Sequence, residues 1–296
     1  LDRILVLDGA MGTMIQKYNP DETAFRGDLF RDHPMPLRGN NDLLSLTSPD
    51  IIREIHTAYL EAGADIITTN TFTANSISQA DYGMQEHVYQ MNKRSAQLAK
   101  EAVSLFEGKE AKERHFVAGS IGPTNRTASM SSDVNDPGAR SVTFDDLVLA
   151  YSEQVAGLID GGADILLIET VFDVLNCKAA LFAIDNIFEE RGERLPVMVS
   201  VTLTDTSGRT LTGQTLEAFM ISVSHFPLFS LGLNCSLGAD QLRPFVEELS
   251  AKSRFFVSVH PNAGLPNQFG EYDQTAEYMA SVTEEFMRAG WVNIIG

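Results

Sequence analysis

Three side chains in this sequence could do chemistry where the chain would otherwise be apolar. Asp8, Glu169 and Cys235 each lie at or just past the end of a short run rich in Val, Ile and Leu. An acid in such a place is costly to bury unless it is paired. Other short runs end in Asn70-Thr71-Phe72, Ser120-Ile-Gly-Pro123, Thr202 with Thr204, and His260-Pro-Asn-Ala-Gly264. Asp8 and Glu169 suit an ammonium group. The backbone amides around Gly9, Ala10 and Met11 suit a carboxylate. Together they could hold an amino acid, and Cys235 is the only soft ligand or nucleophile among them. Plainer readings stand beside these: a tight turn for Asp8-Gly-Ala-Met-Gly-Thr13, a small core residue for Cys235, a strand end before proline for His260. Cys177 lies inside the helical pattern 174–188 and reads as core.

These residues can meet only if the runs that carry them are strands of one sheet. Eight β-rich runs occur, at 4–7, 65–69, 116–120, 164–168, 197–203, 231–235, 255–259 and 292–295. Most lack alternation, as expected of parallel strands covered on both faces. Helical patterns lie between them. Over 49–62 Ser48 is a candidate N-cap and Pro49 the first helical residue, with others at 215–224 and 238–250. Leu60-Glu-Ala-Gly-Ala-Asp-Ile-Ile67 matches Ile159-Asp-Gly-Gly-Ala-Asp-Ile-Leu166, and the stretch from Met287 to Ile295 is a looser copy. Each reads as a helix end, a glycine C-cap and a buried strand. Strict β-then-α order over eight strands predicts an α/β fold, a (β/α)8 TIM barrel whose active site lies at the C-terminal strand ends. A doubly wound open sheet is the alternative, weakened because no G-x-G-x-x-G follows the first run. The chain ends on a strand, so the last βα unit is expected to be missing its end. Segments 18–41 and 125–142 read as rim insertions, and no linker marks a second domain.

Composition narrows the class. The chain has 296 residues, with 22 basic against 40 acidic side chains and a net charge of −18. That balance argues against nucleic acid or an anionic membrane surface as partner. No apolar run approaches the ~18 residues of a membrane span. Two cysteines are too few for a disulfide framework and fit a reducing compartment, hence a cytoplasmic protein. The first residues, Leu1-Asp2-Arg3, resemble no signal peptide and lack an initiator methionine, so the true start is expected to lie upstream. Absences disfavour further chemistries: no strand-end lysine for a Schiff base, no His-x-His on the first run for a binuclear hydrolase, no P-loop and no G-x-S-x-G.

The strand-end motifs together resemble the homocysteine-binding domain of cobalamin-dependent methionine synthase, over essentially the whole chain. The resemblance rests on Leu7-Asp-Gly-Ala-Met-Gly-Thr-Met14, Gly39-Asn-Asn-Asp-Leu-Leu44, Gly63-Ala-Asp-Ile-Ile-Thr-Thr-Asn-Thr-Phe72 and Ile121-Gly-Pro-Thr-Asn-Arg-Thr-Ala-Ser129. It continues through Leu167-Ile-Glu-Thr-Val-Phe-Asp173, Ser207-Gly-Arg-Thr-Leu-Thr-Gly-Gln214, Gly232-Leu-Asn-Cys235 and His260-Pro-Asn-Ala-Gly-Leu-Pro-Asn267. Homocysteine methyltransferases using betaine or S-methylmethionine share the Asp-Gly and Asn-Cys elements. The long rim insertions resemble the cobalamin-dependent branch.

The resemblance implies a single domain over 1–296 that binds homocysteine. Asp8 and Glu169 would hold its ammonium. The amides of Gly9, Ala10 and Met11, with Thr71 or Ser120, would hold its carboxylate. It further implies a Zn²⁺ ion on three cysteine thiolates with the homocysteine sulfur as fourth ligand. Cys235 matches the first cysteine; the other two follow the eighth strand in a Gly-Gly-Cys-Cys motif that this sequence leaves at Gly296, so the domain is expected to be C-terminally incomplete. Cys177 matches no ligand. A free thiol is only about 3% ionised at pH 7, and zinc removes that penalty, worth ~2 kcal/mol. The thiolate would accept the methyl group of methylcobalamin, supplied with methyltetrahydrofolate-binding and cobalamin-binding modules on a longer chain. Alternative expectations are an inactive amino-acid-binding fragment, or a barrel that grips phosphate near 262–264, where no lysine or arginine occurs.

Overall fold

The computed structural model describes residues 3–110, 114–264 and 274–296. Eight parallel strands form one sheet: β1 (Leu5–Val6), β2 (Ile66–Thr68), β3 (Phe116–Ile121), β4 (Ile165–Val171), β5 (Val197–Val201), β6 (Ser230–Gly238), β7 (Phe256–Asn262) and β8 (Ile294–Ile295). Their spatial order is β1-β8-β7-β6-β5-β4-β3-β2. The ring comes round on itself because β1 pairs with β8 (Leu5 with Ile294, Val6 with Ile295) and Leu7 bridges Ile66 of β2. This is the (β/α)8 barrel expected from the strand count. The open-sheet alternative fails on those two contacts.

The helices are α1 (Met11–Tyr18), α2 (Glu22–Arg26), α3 (Leu44–Thr47), α4 (Pro49–Glu61), α5 (Ser76–Gln79), α6 (Val88–Glu110), α7 (Phe144–Asp160), α8 (Val174–Arg191), α9 (Leu216–Val223), α10 (Ala239–Lys252) and α11 (Ala276–Arg288). Among the described residues no helix is long and apolar enough to cross a membrane. Inside the ring, Leu7, Ile66, Ala118, Ile165, Leu167, Met198 and Ile294 pack together. Outside it, a larger apolar layer joins the strands to α7–α11. Unalternating runs such as Val197-Met-Val-Ser-Val201 are buried on both faces for this reason.

The internal repeat is a repeated joint. Gly63, Gly162 and Gly290 take φ of +101°, +93° and +72°, conformations that only glycine adopts freely. The following amide turns back five residues, Ala64 to Tyr59, Ala163 to Leu158 and Trp291 to Phe286, closing each helix. The next polar side chain then caps a neighbouring strand. Asp65 accepts the amide of Val6 at 2.8 Å, Asp164 that of Val117 at 2.9 Å, and Asn293 that of Val257 at 2.9 Å. Ser48 precedes Pro49 as expected. It does not cap α4, because its hydroxyl donates to the carbonyl of Ala24 at 3.0 Å.

The two rim segments are built rather than loose. In 18–41, Phe25 and Leu37 are buried against Ile15, Ile52 and Ile55. In 125–142, Asn176 accepts the amide of Ala128 at 3.0 Å, and Asp173 accepts both the amide and hydroxyl of Ser129.

Strands β6 and β7 approach so closely at Gly232 that a Cβ there would lie 2.2 Å from the carbonyl oxygen of Ser258. Gly232→Ala is expected to cost roughly 2 kcal/mol or more. Urea denaturation reads this out, and an unchanged midpoint would contradict the packing.

Candidate active site

A cavity of about 510 Å³ opens at the C-terminal strand ends, and Asp8, Met11, Thr71, Ser120, Glu169 and Cys235 all line it. Gly9 and Ala10 line it as well. The topology brings these residues to one mouth together with Asn70, Phe72, His260, Pro261 and Asn262, whereas Thr202, Thr204, the Ile121-Gly-Pro123 segment, Ala263 and Gly264 are not part of the cavity wall. Residues 265–267 of the last motif and the side chain of Ser236 lie outside the described residues. Cys177 is buried on α8, where its thiol is pushed up to about 12 by burial.

Asp8 is buried and accepts two hydrogen bonds from Thr68, from the amide at 2.8 Å and the hydroxyl at 3.0 Å. Burial nevertheless pushes its pKa up to about 8. The Thr68 contacts oppose this, and the charge of Glu169 adds to it. Burial also raises Glu169, opposed by the Ser120 hydroxyl, which donates to Glu169 Oε1. No lysine or arginine is among the described residues lining the cavity. Two carboxyls thus face one space without a cation, and at neutral pH the pair retains a proton. A ligand ammonium would let both ionise.

Cys235 ends up beside them because β6 is irregular. The pairing of β6 with β7 shifts register between Asn234 and Gly238, and that of β4 with β5 shifts between Ile168 and Val171. Cys235 and Thr170 each take φ +57° in these bulges. Bulges re-aim side chains. Here they turn the strand ends that carry Glu169 and Cys235. Burial raises the Cys235 thiol, opposed by a hydrogen bond from Asn234, with the Glu169 charge adding to the rise.

The side expected from the sequence to receive a carboxylate is the start of α1. No side chain caps this helix, and its first amides have no intrahelical partner. Thr71 and Ser120 line the cavity with hydroxyls already engaged: Thr71 Oγ1 donates to the Ser120 carbonyl at 2.7 Å, and Ser120 Oγ to Glu169. Several lining residues escaped the sequence reading of the site, among them Gly39, Asn41, Thr68, Thr69 and Thr73, and one of them is an acid. Asp42, 2% exposed, accepts from the hydroxyl and amide of Thr73, and burial lifts its pKa to about 6. Its signals in the sequence were an acid set directly before Leu43-Leu44 and its place in the Gly39-Asn-Asn-Asp-Leu-Leu44 motif.

The family model described as homocysteine S-methyltransferase matches residues 5–296. The chain belongs to the homocysteine S-methyltransferase family. Three crystal structures of the homocysteine methyltransferase MmuM from Escherichia coli resemble this family member in fold. The metallated form is 23% identical, covers 99% of this chain and 90% of that one, and has a TM-score of 0.74. The oxidized form is 21% identical with the same coverage and a TM-score of 0.76. The apo form is 20% identical, with 99% and 89% covered and a TM-score of 0.68.

Family membership raises the matter of zinc, which takes three protein donors and a fourth, exchangeable ligand in a catalytic site. Among the described residues no three His, Cys, Asp or Glu side chains cluster to hold an ion. Cys235 is the one thiol at the mouth, so the described donors do not make a complete zinc site. Residues 1–296 are expected to bind zinc weakly and below one ion per chain. Metal analysis after dialysis checks this, and one tight ion per chain would show a donor set that the described residues lack.

Asp8 also fixes a pH dependence. Its native pKa lies above its unfolded value, so between about pH 4 and 8 the native state holds a proton that the unfolded chain has lost. Stability from this group therefore falls as pH rises through that window, by about 1.4 kcal/mol per unit at most. Asp8→Asn removes the titration. Its melting temperature is expected to gain on the parent progressively from pH 5 to pH 8, and a constant difference would refute the buried, raised carboxyl.

Proposed function

We propose that this chain is the homocysteine-binding barrel of a cobalamin-dependent methionine synthase, one domain over 1–296. The observation that carries the reading is a buried carboxyl, Asp8, and a half-buried one, Glu169, sharing a cavity with Cys235 and with no lysine or arginine among the described lining residues. An α-amino acid matches that arrangement. Its ammonium fits between Asp8 and Glu169, and both carboxyls ionise against it, giving up the retained proton. Its carboxylate fits the amides of Gly9, Ala10 and Met11 at the start of α1. Thr71 ties the strand ends after β2 and β3 together, and Ser120 holds the Glu169 carboxyl in place for the ammonium. The substrate side chain then extends toward Cys235.

The choice of homocysteine over other amino acids rests on family membership, and the choice of methylcobalamin as donor on the motifs and rim insertions. By the same resemblance Cys235 would supply one thiolate to a zinc ion. Gly296 lines the cavity beside His260. Bound zinc supplies a deprotonated sulfur at neutral pH. Binding of the amino-acid end by Asp8, Glu169 and the α1 amides does not require it.

Isothermal titration with homocysteine tests the reading. Glu169→Ala leaves the ammonium short of a partner and is expected to weaken binding by more than about 1 kcal/mol. An unchanged dissociation constant removes Glu169 from the site. A preference of the parent chain for small sugar phosphates over homocysteine would overturn the assignment as a whole.

A further inference from the structure

The most fully bonded side chain at the mouth is one that the site chemistry does not call for. Asn234 is 3% exposed and spans three strands. Its amide nitrogen donates to Thr170 Oγ1 at 2.8 Å and to Cys235 Sγ at 3.0 Å. Its amide oxygen accepts from the backbone amide of Thr170 at 3.1 Å and from Ser200 Oγ at 2.7 Å. Both donors and both lone pairs of the amide are therefore used. Two of its partners, Thr170 and Cys235, are the residues held at φ +57°. A non-glycine residue there costs on the order of 1–3 kcal/mol and persists only when its surroundings over-determine it. Asn234 supplies that determination for both at once, and Thr170 directly follows Glu169.

We propose that Asn234 is a positioning residue: one amide aims the thiol of Cys235 into the cavity and pins the β4 bulge that presents Glu169, so the sulfur end and the amino-acid end of the site are set together. The contact fixes which way the thiol faces. The statement about Glu169 as an amino-acid anchor rests on the function proposed above; the aiming of the thiol does not.

Alkylation by iodoacetamide at pH 7.5, read separately for the two cysteines by mass spectrometry, tests this without substrate or metal. Cys177 is buried and serves as the internal reporter of folding, since it becomes reactive only when the barrel opens. Asn234→Asp keeps the size and both acceptor positions and removes both donors. Alkylation of Cys235 is expected to slow by more than about threefold while Cys177 stays protected. The new carboxylate also repels the neighbouring sulfur anion, so the slowing counts for the proposal only if Ser200→Ala, which adds no charge, slows Cys235 as well. A smaller decrease or any increase in a variant with protected Cys177 overturns the proposal. If Asn234→Asp exposes Cys177, Ser200→Ala decides: Ser200 is fully buried and absent from the cavity wall, and its loss frees one side of the amide. Slowing by more than about twofold supports the proposal, and less overturns it. Titration of Asn234→Asp with homocysteine, expected to bind at least about fivefold more weakly, reads the second half. If the parent chain takes up no homocysteine, the functional assignment fails, while the alkylation rates still judge Asn234.

Discussion

Two carboxyls, Asp8 buried and Glu169 half-buried, that share one cavity with no lysine or arginine among its described lining residues are the constraint on which the site turns. Asp8 is left with two bonds from Thr68, and Glu169 with one from Ser120. Neither set offsets burial, so the pair holds a proton until a cation arrives. The ligand therefore completes an electrostatic arrangement that the fold leaves open. The same logic applies in mirror image at the start of α1, where uncapped amides present partial positive charge a few residues from Asp8. A zwitterion is the simplest object that satisfies both ends.

The other face of the barrel handles its acids in the opposite way. Asp65 is also part-buried, yet the Arg3 guanidinium and the amide of Val6 outweigh burial and hold its carboxyl below the usual range. Asp164 has Lys100 at 2.9 Å and the amide of Val117. These acids lock strand to strand in the repeated Gly-Ala-Asp joint. The molecule thus separates its buried charges by face. Those at the N-terminal strand ends are neutralised and hold the ring together, and those at the C-terminal ends are kept short of partners. Stability and binding draw on different ends of the same strands.

Holding unsatisfied groups in register has a conformational cost, and it is concentrated in β4 and β6. Each strand breaks its pairing once and places one non-glycine residue in the left-handed region. The network around Asn234 spans both breaks. Because the rest of each strand is packed on both faces, the irregularity cannot relax along the sheet and stays where the site is.

Much of the architecture was legible in the residues. Unalternating Val/Ile/Leu runs indicate parallel strands covered on both sides, and the glycine joints indicate where helices stop. Eight such units in order leave few topologies other than the barrel. That topology alone sends Asp8, Glu169 and Cys235 to one mouth, because parallel strands all end on the same side. The sequence could not show which way those side chains turn, since a bulge depends on how two strands pair and not on the residues of either. Nothing in Asn234-Cys235 or Glu169-Thr170 announces a positive φ. Nor does the chain announce that Asp42 reaches the cavity wall or that Asn234 joins three strands. Those contacts link residues up to 64 positions apart, and only the closed ring brings them within bonding distance.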